Sequence, residues 1–191
     1  AVDRLNEIGP DLVVHSGDVV DGGGEAQYGL AAEILSGLKA PLRLLPGNHD
    51  IRGRMRAAFA ARPEAVAEGP FCHFAESFQG LTLIGLDTID EGVTAGRFCQ
   101  TRAAWLAERL FEAADGPTLI FAHHPPCPMG LPFMDGFVFE GSELLAAAIQ
   151  GAAVKGGQVL RIGTGHVHAA AERHWAGTLV AACPATGVQI P

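Results

Sequence analysis

The chain has 191 residues, a formal net charge of −8 and a sequence pI of about 5.4. Hydrophobic residues make up 48% of it, which is enough to build the core of a single domain spanning residues 1–191. The acidic balance disfavours long nucleic acid or an anionic membrane as the main partner. It does not exclude a small phosphate ester, because bound cations can invert the local electric field.

The sequence predicts neither a membrane span nor an export signal. No apolar stretch approaches the ~20 residues that a transmembrane helix needs. Residues 1–9 have the pattern of an amphipathic helix end rather than of a signal peptide. The four cysteines, at positions 72, 99, 127 and 183, are scattered and include no Cys-x-x-Cys pair. We therefore expect free thiols and a cytoplasmic location.

Apolar runs and turn residues predict strands that alternate with helices through the first half of the chain. The predicted strands are residues 12–16, 42–45, 71–78, 81–86, 118–122, 159–164, 174–176 and 178–182. Helices are predicted at residues 25–38, 52–62 and 142–153, and a further helix is predicted from the N-cap Thr101 to a stop at Gly116. The alternation indicates parallel βαβ units, and the later part of the chain is richer in strands.

Four of the predicted strands are followed by polar side chains that can bind metals. The four stretches are Gly17-Asp18, Gly47-Asn48-His49-Asp50, His123-His124 and Gly165-His166-Val167-His168. Taken alone, Asp18, Asn48 and the 123–124 histidines are more typical of a turn, a cap or a core position than of a ligand. Gly-His-x-His is the stronger signal, and taken alone it fits a ligand pair as well as a structural one. Because sites in open α/β sheets form beyond the carboxyl ends of the strands, the combination predicts one shared site.

The types of donor atom limit which metal this site can hold. A carboxylate, an amide oxygen and imidazoles suit Mn²⁺, Fe²⁺ or Zn²⁺ rather than Cu(I) or an iron–sulfur cluster. His166 and His168 lie two residues apart, so in extended backbone they point to the same side and can serve adjacent ions. A carboxylate can bridge two such ions, and ions ~3.5–4 Å apart clamp a phosphoryl group and activate a water for hydrolysis.

These motifs, in this order, resemble the signature of the calcineurin-like metallophosphoesterases over nearly the whole chain. The matching stretches are Gly-Asp-Val-Val-Asp at 17–21, Gly-Asn-His-Asp at 47–50, His-His-Pro-Pro at 123–126 and Gly-His-Val-His at 165–168. Pro-Asp-Leu-Val-Val at 10–14 and Phe-Met-Asp-Gly at 133–136 resemble the branch of class III cyclic-nucleotide phosphodiesterases and bacterial glycerophosphodiesterases. The resemblance implies an α/β sandwich of mixed β-sheet flanked by helices, with a dimetal site at the carboxyl ends of the strands.

The resemblance also implies a role for each motif residue. Two transition-metal ions, divalent or trivalent manganese, iron or zinc, would be bound by Asp18 as the bridge, by Asn48, His123 and His166 at the second ion, and by His168 at the first. His49 would be catalytic through the substrate phosphate or the leaving group, and Asp50 would orient His49 or the neighbouring loop. His124 is expected to be structural or to support a ligand, and Asp21 to be a loop residue. Three further histidines are not expected as ligands: His15, His73 and His174.

One motif of the family has no counterpart in this sequence. The family opens with an Asp-x-His at the end of its first strand, which supplies two ligands to the first ion, and no Asp-x-His precedes Asp18. We expect an N-terminally truncated catalytic domain that begins after that strand; the alternative is a defective first metal site. With only Asp18 and His168 to hold the first ion, we expect that ion to bind weakly.

The function that the resemblance implies is metal-dependent hydrolysis of a small phosphodiester, a cyclic nucleotide or a glycerophosphodiester, by a hydroxide that the two ions activate. A phosphomonoesterase or a small nuclease is the nearest alternative, although an acidic chain without a basic stripe disfavours a polymer substrate. A non-catalytic scaffold with an incomplete metal site is an alternative of a different class. The apolar loop 125–139 contains no basic residue and is expected to wall the substrate pocket or to form a contact in a homo-oligomer.

Overall fold

Two β-sheets and five α-helices form the framework of the computed structural model, which describes residues 1–113 and 116–187. The strands are β1 (Val13–His15), β2 (Leu42–Leu44), β3 (Phe74–Phe78), β4 (Leu81–Leu86), β5 (Pro117–Ala122), β6 (Gln158–Thr164), β7 (Ala171–Trp175) and β8 (Thr178–Ala182). The helices are α1 (Val2–Ile8), α2 (Glu25–Ser36), α3 (Arg52–Ala58), α4 (Gln100–Glu112) and α5 (Ser142–Val154), with a 3-10 turn at Met134–Gly136. The predicted α/β class, with a mixed sheet flanked by helices, is confirmed.

The smaller sheet consists of β1 and β2, which run parallel and are connected through α2. Their register places His15 beside Leu44, so the loops that follow the two strands leave the sheet at the same edge. Apolar side chains of both strands, α2 and α3 share one core: Val20, Tyr28, Leu38, Leu42, Leu44, Met55 and Phe59. This sheet therefore brings the Gly17-Asp18 and 47–50 stretches side by side.

The larger sheet has six strands in the order β3-β4-β5-β6-β8-β7. Its four central strands are parallel, and the hairpins β3-β4 and β7-β8 add an antiparallel strand at each edge. Alternate strand residues share a second core with α4 and α5: Ile84, Leu86, Leu106, Leu110, Ile120, Leu145, Ile149, Ile162 and Val180. Because β4, β5 and β6 are parallel, the residues that follow them meet at one edge of the sheet.

Some element boundaries differ from those predicted. The N-cap of α4 is Cys99, in extended backbone and without a side-chain cap hydrogen bond, so the prediction of Thr101 as N-cap is wrong. Helix α3 ends at Ala58 rather than at residue 62, because its C-cap Phe59 has left helical backbone, with φ −100° and ψ 17°. Helix α4 ends at Glu112 with Ala113 as its C-cap, before the predicted stop at Gly116, and residues 114–115 between them lie outside the described ranges.

All four cysteines are free thiols, of which Cys72 is buried and Cys183 is exposed. Within residues 1–113 and 116–187, no helix combines the length and the apolar character needed to cross a membrane.

A buried ion pair connects the two sheets. Arg52, the first residue of α3, donates from Nε and Nη2 to the two carboxylate oxygens of Asp87 at 2.6 and 2.8 Å. Asp87 follows β4, is completely buried, and also accepts hydrogen bonds from the backbone N–H groups of Cys72 and Ile89 at 2.9 and 3.1 Å. Because α3 follows the 47–50 stretch directly, this pair fixes that stretch relative to the larger sheet.

Removing the carboxylate of this pair should destabilise the fold strongly. An Asp87→Ala variant removes the buried partner of the Arg52 guanidinium, which is only 15% exposed, and leaves it the Ile89 carbonyl at 2.9 Å and the partly exposed Glu91 carboxylate at 3.4 Å. We expect a loss of about 3 kcal/mol in the free energy of unfolding, the lower end of the range for a broken buried pair. Asp90→Ala is the matched control, because Asp90 pairs with Arg97 while both side chains are about half exposed, at 46% and 50%. The control should lose no more than about 1 kcal/mol. Urea unfolding followed by circular dichroism measures both free energies of unfolding. Equal losses in the two variants would contradict the role of the Arg52–Asp87 pair in connecting the sheets.

Candidate metal centre

The loops of the two sheets bring four of the predicted ligands together. The Asn48 Oδ1 atom lies 3.1 Å from His123 Nε2 and 2.9 Å from His166 Nδ1. The Asp18 Oδ2 atom lies 3.3 Å from the same His123 nitrogen. The smaller sheet supplies the two oxygen donors and the larger sheet supplies the two nitrogen donors, so the site forms only where the two sheets meet.

The spacing of these donor atoms fits a single bound transition-metal ion. Ligand atoms at about 2.0–2.2 Å from an ion, at angles between octahedral and tetrahedral values, lie about 2.9–3.5 Å from one another. The three donor-to-donor distances, 2.9, 3.1 and 3.3 Å, fall in that range. An amide oxygen, a carboxylate and two imidazoles are also a donor set that Mn²⁺, Fe²⁺ and Zn²⁺ accept. The residues therefore fit a metal ion in both geometry and chemistry.

His123 has the second hydrogen bond that metal-binding histidines usually make. Its ring is 1% exposed, and its Nδ1 atom lies 2.8 Å from the backbone oxygen of Ser16. Because only a protonated Nδ1 can donate to that carbonyl, the lone pair of the neutral ring is on Nε2, which faces Asp18 and Asn48. A hydrogen bond of this kind fixes the tautomer and the orientation of a ligating ring.

His166 is held neutral and ready to bind. Burial, together with the neighbouring His123 ring, lowers the pKa of His166 to about 4. A neutral imidazole keeps a lone pair for a metal. The Nε2 atom of His166 and the Nδ1 atom of His168 are buried without a hydrogen-bond partner in the described ranges of the chain. Such unsatisfied buried nitrogens are costly, and a bound ion or ligand beside them would offset that cost.

Three of the five predicted ligands have strained backbone. Asp18, His166 and His168 have positive φ angles of 54°, 66° and 55°. A non-glycine residue in this left-handed region costs about 1–3 kcal/mol, and such residues cluster at functional sites. The strain supports a functional role for the turns after β1 and β6. The assignment of His168 and Asp18 to a first ion remains a prediction, as does each ligand role.

His124 is close to the other histidines but is already fully hydrogen-bonded. The rings of His123, His124 and His166 offer nitrogen atoms that lie within 4.8 Å of one another. The Nε2 atom of His124, however, lies 3.1 Å from the backbone oxygen of Thr94, and Nδ1 lies 2.9 Å from the Thr88 hydroxyl. Nε2 must carry the proton, and Nδ1 then accepts from Thr88, so no lone pair is left for an ion. These contacts favour the structural role that the sequence suggested for His124.

His49 lies at the solvent side of the site. Its side chain is 45% exposed, and its backbone N–H donates to Asp18 Oδ1 at 3.0 Å. Burial alone would raise the pKa of Asp18, but the His123 ring and this N–H outweigh burial and hold the pKa well below its usual range. The His49 Nδ1 atom lies 2.5 Å from the backbone oxygen of Asp21, and 3.7 Å from the Asp21 carboxylate. Asp21, expected to be a loop residue, is thus the partner that orients the His49 ring.

Asp50 is buried beneath the loops that follow β1 and β2, and its carboxylate contacts the loop backbone and Tyr28 rather than His49. Its carboxylate accepts hydrogen bonds from the backbone of Val19 and Gly47 at 3.0 and 2.9 Å and from the Tyr28 hydroxyl at 2.9 Å. Tyr28 in turn accepts from the Ile51 N–H at 2.8 Å. Burial raises the pKa of Asp50 despite these hydrogen bonds. Of the two roles implied for Asp50, these contacts support orientation of the loop rather than of His49.

The remaining histidines lie outside the donor set, as expected. His15 accepts a hydrogen bond from the Gly17 N–H at 3.3 Å, and burial lowers its pKa. His73 stacks on Trp105 with ring centroids 4.7 Å apart, and His174 is exposed on β7.

Three residues that hold the site in place belong to none of the sequence motifs. They are Tyr28 on α2 and Asp87 and Thr88 directly after β4. The sequence feature that could have identified them is a polar residue inside or directly after a strongly apolar element. Such a residue becomes buried and therefore needs a hydrogen-bonding partner. The sequence did not identify those partners, which lie 22 to 36 positions away.

Close approach of the two loops requires glycine at two positions. A Cβ atom at Gly17 would lie 2.6 Å from both His123 Nδ1 and the Gly47 backbone nitrogen. A Cβ atom at Gly47 would overlap the carboxylate and the backbone nitrogen of Asp18. The β1 and β2 loops can therefore present Asp18 and Asn48 together only because these glycines have no side chain.

A methyl group at Gly47 should weaken metal binding. We expect Gly47→Ala to displace the Asp18 carboxylate and to lower Mn²⁺ affinity about 10- to 100-fold, the range seen when the groups that orient ligands are disturbed. Gly53→Ala is the control, because a Cβ atom there meets nothing within 4 Å and alanine favours helix α3. Isothermal titration with Mn²⁺ compares the two variants with the parent protein. Equal Mn²⁺ affinity in all three proteins would contradict the proposed site.

Comparison with known proteins assigns this geometry to a family. Residues 1–170 match the family model described as calcineurin-like phosphoesterase. The chain is 32% identical over 183 residues to a glycerophosphodiester phosphodiesterase, GpdQ, of Enterobacter lignolyticus, covering 95% of this chain and 64% of that protein. It is 40% identical over 140 residues to a probable cyclic nucleotide phosphodiesterase of Rhodopseudomonas palustris, covering 71% of this chain and 50% of that protein.

Comparison with solved structures concerns the fold. The crystal structure of a dimetal phosphatase from Danio rerio superposes with a TM-score of 0.72 at 15% identity, covering 96% of this chain and 75% of that one. At this level of identity the likeness shows the fold alone. The chain spans only 50% to 64% of the length of the two curated relatives described above.

Proposed function

The chain belongs to the calcineurin-like phosphoesterase family, and from its site we propose that the protein is a metal-dependent hydrolase of small phosphodiesters. The observation that carries the proposal is the convergence of one carboxylate, one amide and two imidazoles, with neighbouring donor atoms 2.9–3.3 Å apart, at the edge where the two sheets meet. The relatives named as glycerophosphodiester and cyclic nucleotide phosphodiesterases support the substrate class.

We propose that the site holds two ions of manganese, iron or zinc: Asn48, His123 and His166 would bind one, His168 would bind the other, and Asp18 would bind both. Bound ions of this kind supply the Lewis acidity that activates a water molecule and neutralises charge on the phosphoryl oxygens. The imidazole of His49, 45% exposed beside these donors, is a further group that can hydrogen-bond a substrate.

His49 is suited to act on the ester oxygens. Its side chain is 45% exposed, and its backbone N–H is bonded to the proposed bridging carboxylate. Because Nδ1 is bonded to the Asp21 carbonyl, Nε2 is the ring nitrogen left for a phosphate oxygen or a leaving group. We propose that His49 stabilises the charge that develops on these oxygens when its ring carries both protons, since only then can Nε2 donate to an oxygen, and that Asp50 keeps the loop in position.

The acidic charge, −8 for the chain, supports a small ester rather than a nucleic acid or a membrane as the partner. We also propose a cytoplasmic location, which the free thiols support. A homo-oligomer is compatible with the exposed apolar side chains of the 125–139 loop, of which Phe133 and Val138 are each 71% exposed.

Loss of the Asn48 amide should abolish metal-stimulated hydrolysis. We expect Mn²⁺ to stimulate cleavage of bis(p-nitrophenyl) phosphate and Asn48→Ala to reduce kcat/KM by about 10²–10³. Asn6→Ala is the control, because the Asn6 amide only bridges α1 to the end of α2 through Gly37 and Lys39. Release of p-nitrophenolate measures both. No stimulation by metal, or full activity in Asn48→Ala, would contradict the mechanism, and faster cleavage of p-nitrophenyl phosphate would favour a phosphomonoesterase.

The two ions should differ in affinity. The second ion has four donors in the described chain, whereas the first has only Asp18 and His168, so we expect one tightly bound Mn²⁺ per chain and a second that binds at least about 10-fold more weakly. His168→Ala should remove the weak ion and leave the tight one. Equilibrium dialysis with elemental analysis counts the ions without relying on activity. Two equally tight ions, or loss of the tight ion in His168→Ala, would contradict this division.

A further inference from the structure

A cavity of about 130 Å³ lies against His166, between the end of β6 and the apolar loop 125–139. Its walls are mostly apolar side chains: Pro125, Cys127, Met129, Met134, Phe137 and Val167. An apolar cavity of about 150 Å³ is large enough to hold one benzene ring. The size of the cavity therefore matches a single aromatic ring.

The cavity offers little to a charged group. Among the described residues that line it, Asp135 carries a full charge, and its carboxylate already accepts hydrogen bonds from the backbone N–H groups of Met129, Gly130 and Leu131 at 2.7, 2.8 and 2.9 Å. The polar groups left for a ligand are the Ser142 hydroxyl and the unpartnered Nε2 atom of His166, which can each hydrogen-bond the edge of a ring.

The cavity shares His166 with the metal centre. The Nδ1 atom of His166 lies 2.9 Å from Asn48 Oδ1, and its ring lies 6.1 Å from the Phe137 ring in an edge-to-face arrangement. The His166 ring therefore belongs both to the donor cluster and to the lining of the cavity.

We infer that this cavity is a subsite for one uncharged aromatic ring of the substrate, such as a nucleobase-sized ester group. The inference rests on the proposed function, because it needs the phosphate at the metal centre. Phe137 supplies an aromatic surface on which a ring can stack or pack edge-on. The subsite favours aromatic phosphodiesters over glycerophosphodiesters.

Two phosphonates that differ only in the ring test the subsite. We expect the Mn²⁺-loaded protein to bind phenylphosphonate about 10- to 100-fold more tightly than methylphosphonate, as burial of a phenyl group predicts. Phe137→Ala should reduce that preference about tenfold, whereas Phe111→Ala should not, since Phe111 is 61% exposed on α4 and does not line the cavity. Calorimetric titration gives the affinities. Equal binding of both phosphonates by the parent protein would overturn the inference.

Alkylation of Cys127 provides a second measurement that does not depend on affinity. Cys127 lines the cavity and is partly buried, whereas Cys183 is exposed and does not line it. Phenylphosphonate should slow the modification of Cys127 by N-ethylmaleimide and leave Cys183 unchanged, as read by peptide mass spectrometry. If Cys127 instead becomes more protected as the protein concentration rises, and phenylphosphonate makes no difference, the inference is overturned. The loop would then be a contact between copies of the chain. Absence of any ester hydrolysis would contradict the proposed function, not the binding of the ring.

Discussion

The amide oxygen of Asn48, between His123 and His166, is the contact on which the rest of the site depends. It joins a loop of the smaller sheet to two loops of the larger sheet at 3.1 and 2.9 Å. Neither sheet alone carries enough donor atoms to hold an ion. The fold therefore has to fix the distance between the sheets to a few tenths of an ångström, because ligand bonds to a transition metal tolerate little more.

Several buried polar interactions set this distance from behind the site. Asp87 holds Arg52 just after the Asn48 loop, and the next residue, Thr88, holds His124 next to His123. On the other side, Tyr28 and Asp50 bind the backbone of the same loop. These contacts compensate the strained backbone at three proposed ligands, since strain of about 1–3 kcal/mol per residue persists only where the surroundings over-determine it. The end of β4 thus supports both halves of the site without contributing a ligand.

The sequence predicted the positions of the ligand-bearing loops because they obey a general rule of parallel sheets. Apolar runs identified the strands, and residues at the carboxyl ends of parallel strands must share an edge. For this reason the approach of His123 to His166 could be predicted, and so could that of Asp18 to Asn48. The meeting of these two pairs depends on the packing of one sheet against the other, which the rule does not cover. The supporting residues could not be predicted in the same way. Hydrogen bonds such as the one from Tyr28 to Asp50 join side chains far apart in sequence, and no local period marks them.

The orientations of the histidine rings also could not be predicted from the sequence, and they change the interpretation of two residues. His124 follows His123 directly, yet both of its ring nitrogens are bonded to threonines, so the two adjacent histidines differ in chemistry. Asp21 had the sequence signature of a loop residue, and the structure makes it the partner of His49. Tautomers and ring orientations depend on the hydrogen bonds around a side chain, which only the folded chain assembles. Membership of the calcineurin-like family agrees with the whole arrangement.

The most direct test of the account is the location of the metal. Crystals of the Mn²⁺-loaded protein should show the strongest manganese anomalous peak within ligand distance of four atoms: Asp18 Oδ2, Asn48 Oδ1, His123 Nε2 and His166 Nδ1. In the same crystals His124 should keep its hydrogen bonds to Thr88 and Thr94. A manganese peak that is ligated by His124, or one that does not contact Asn48, would contradict a metal site formed where the two sheets meet.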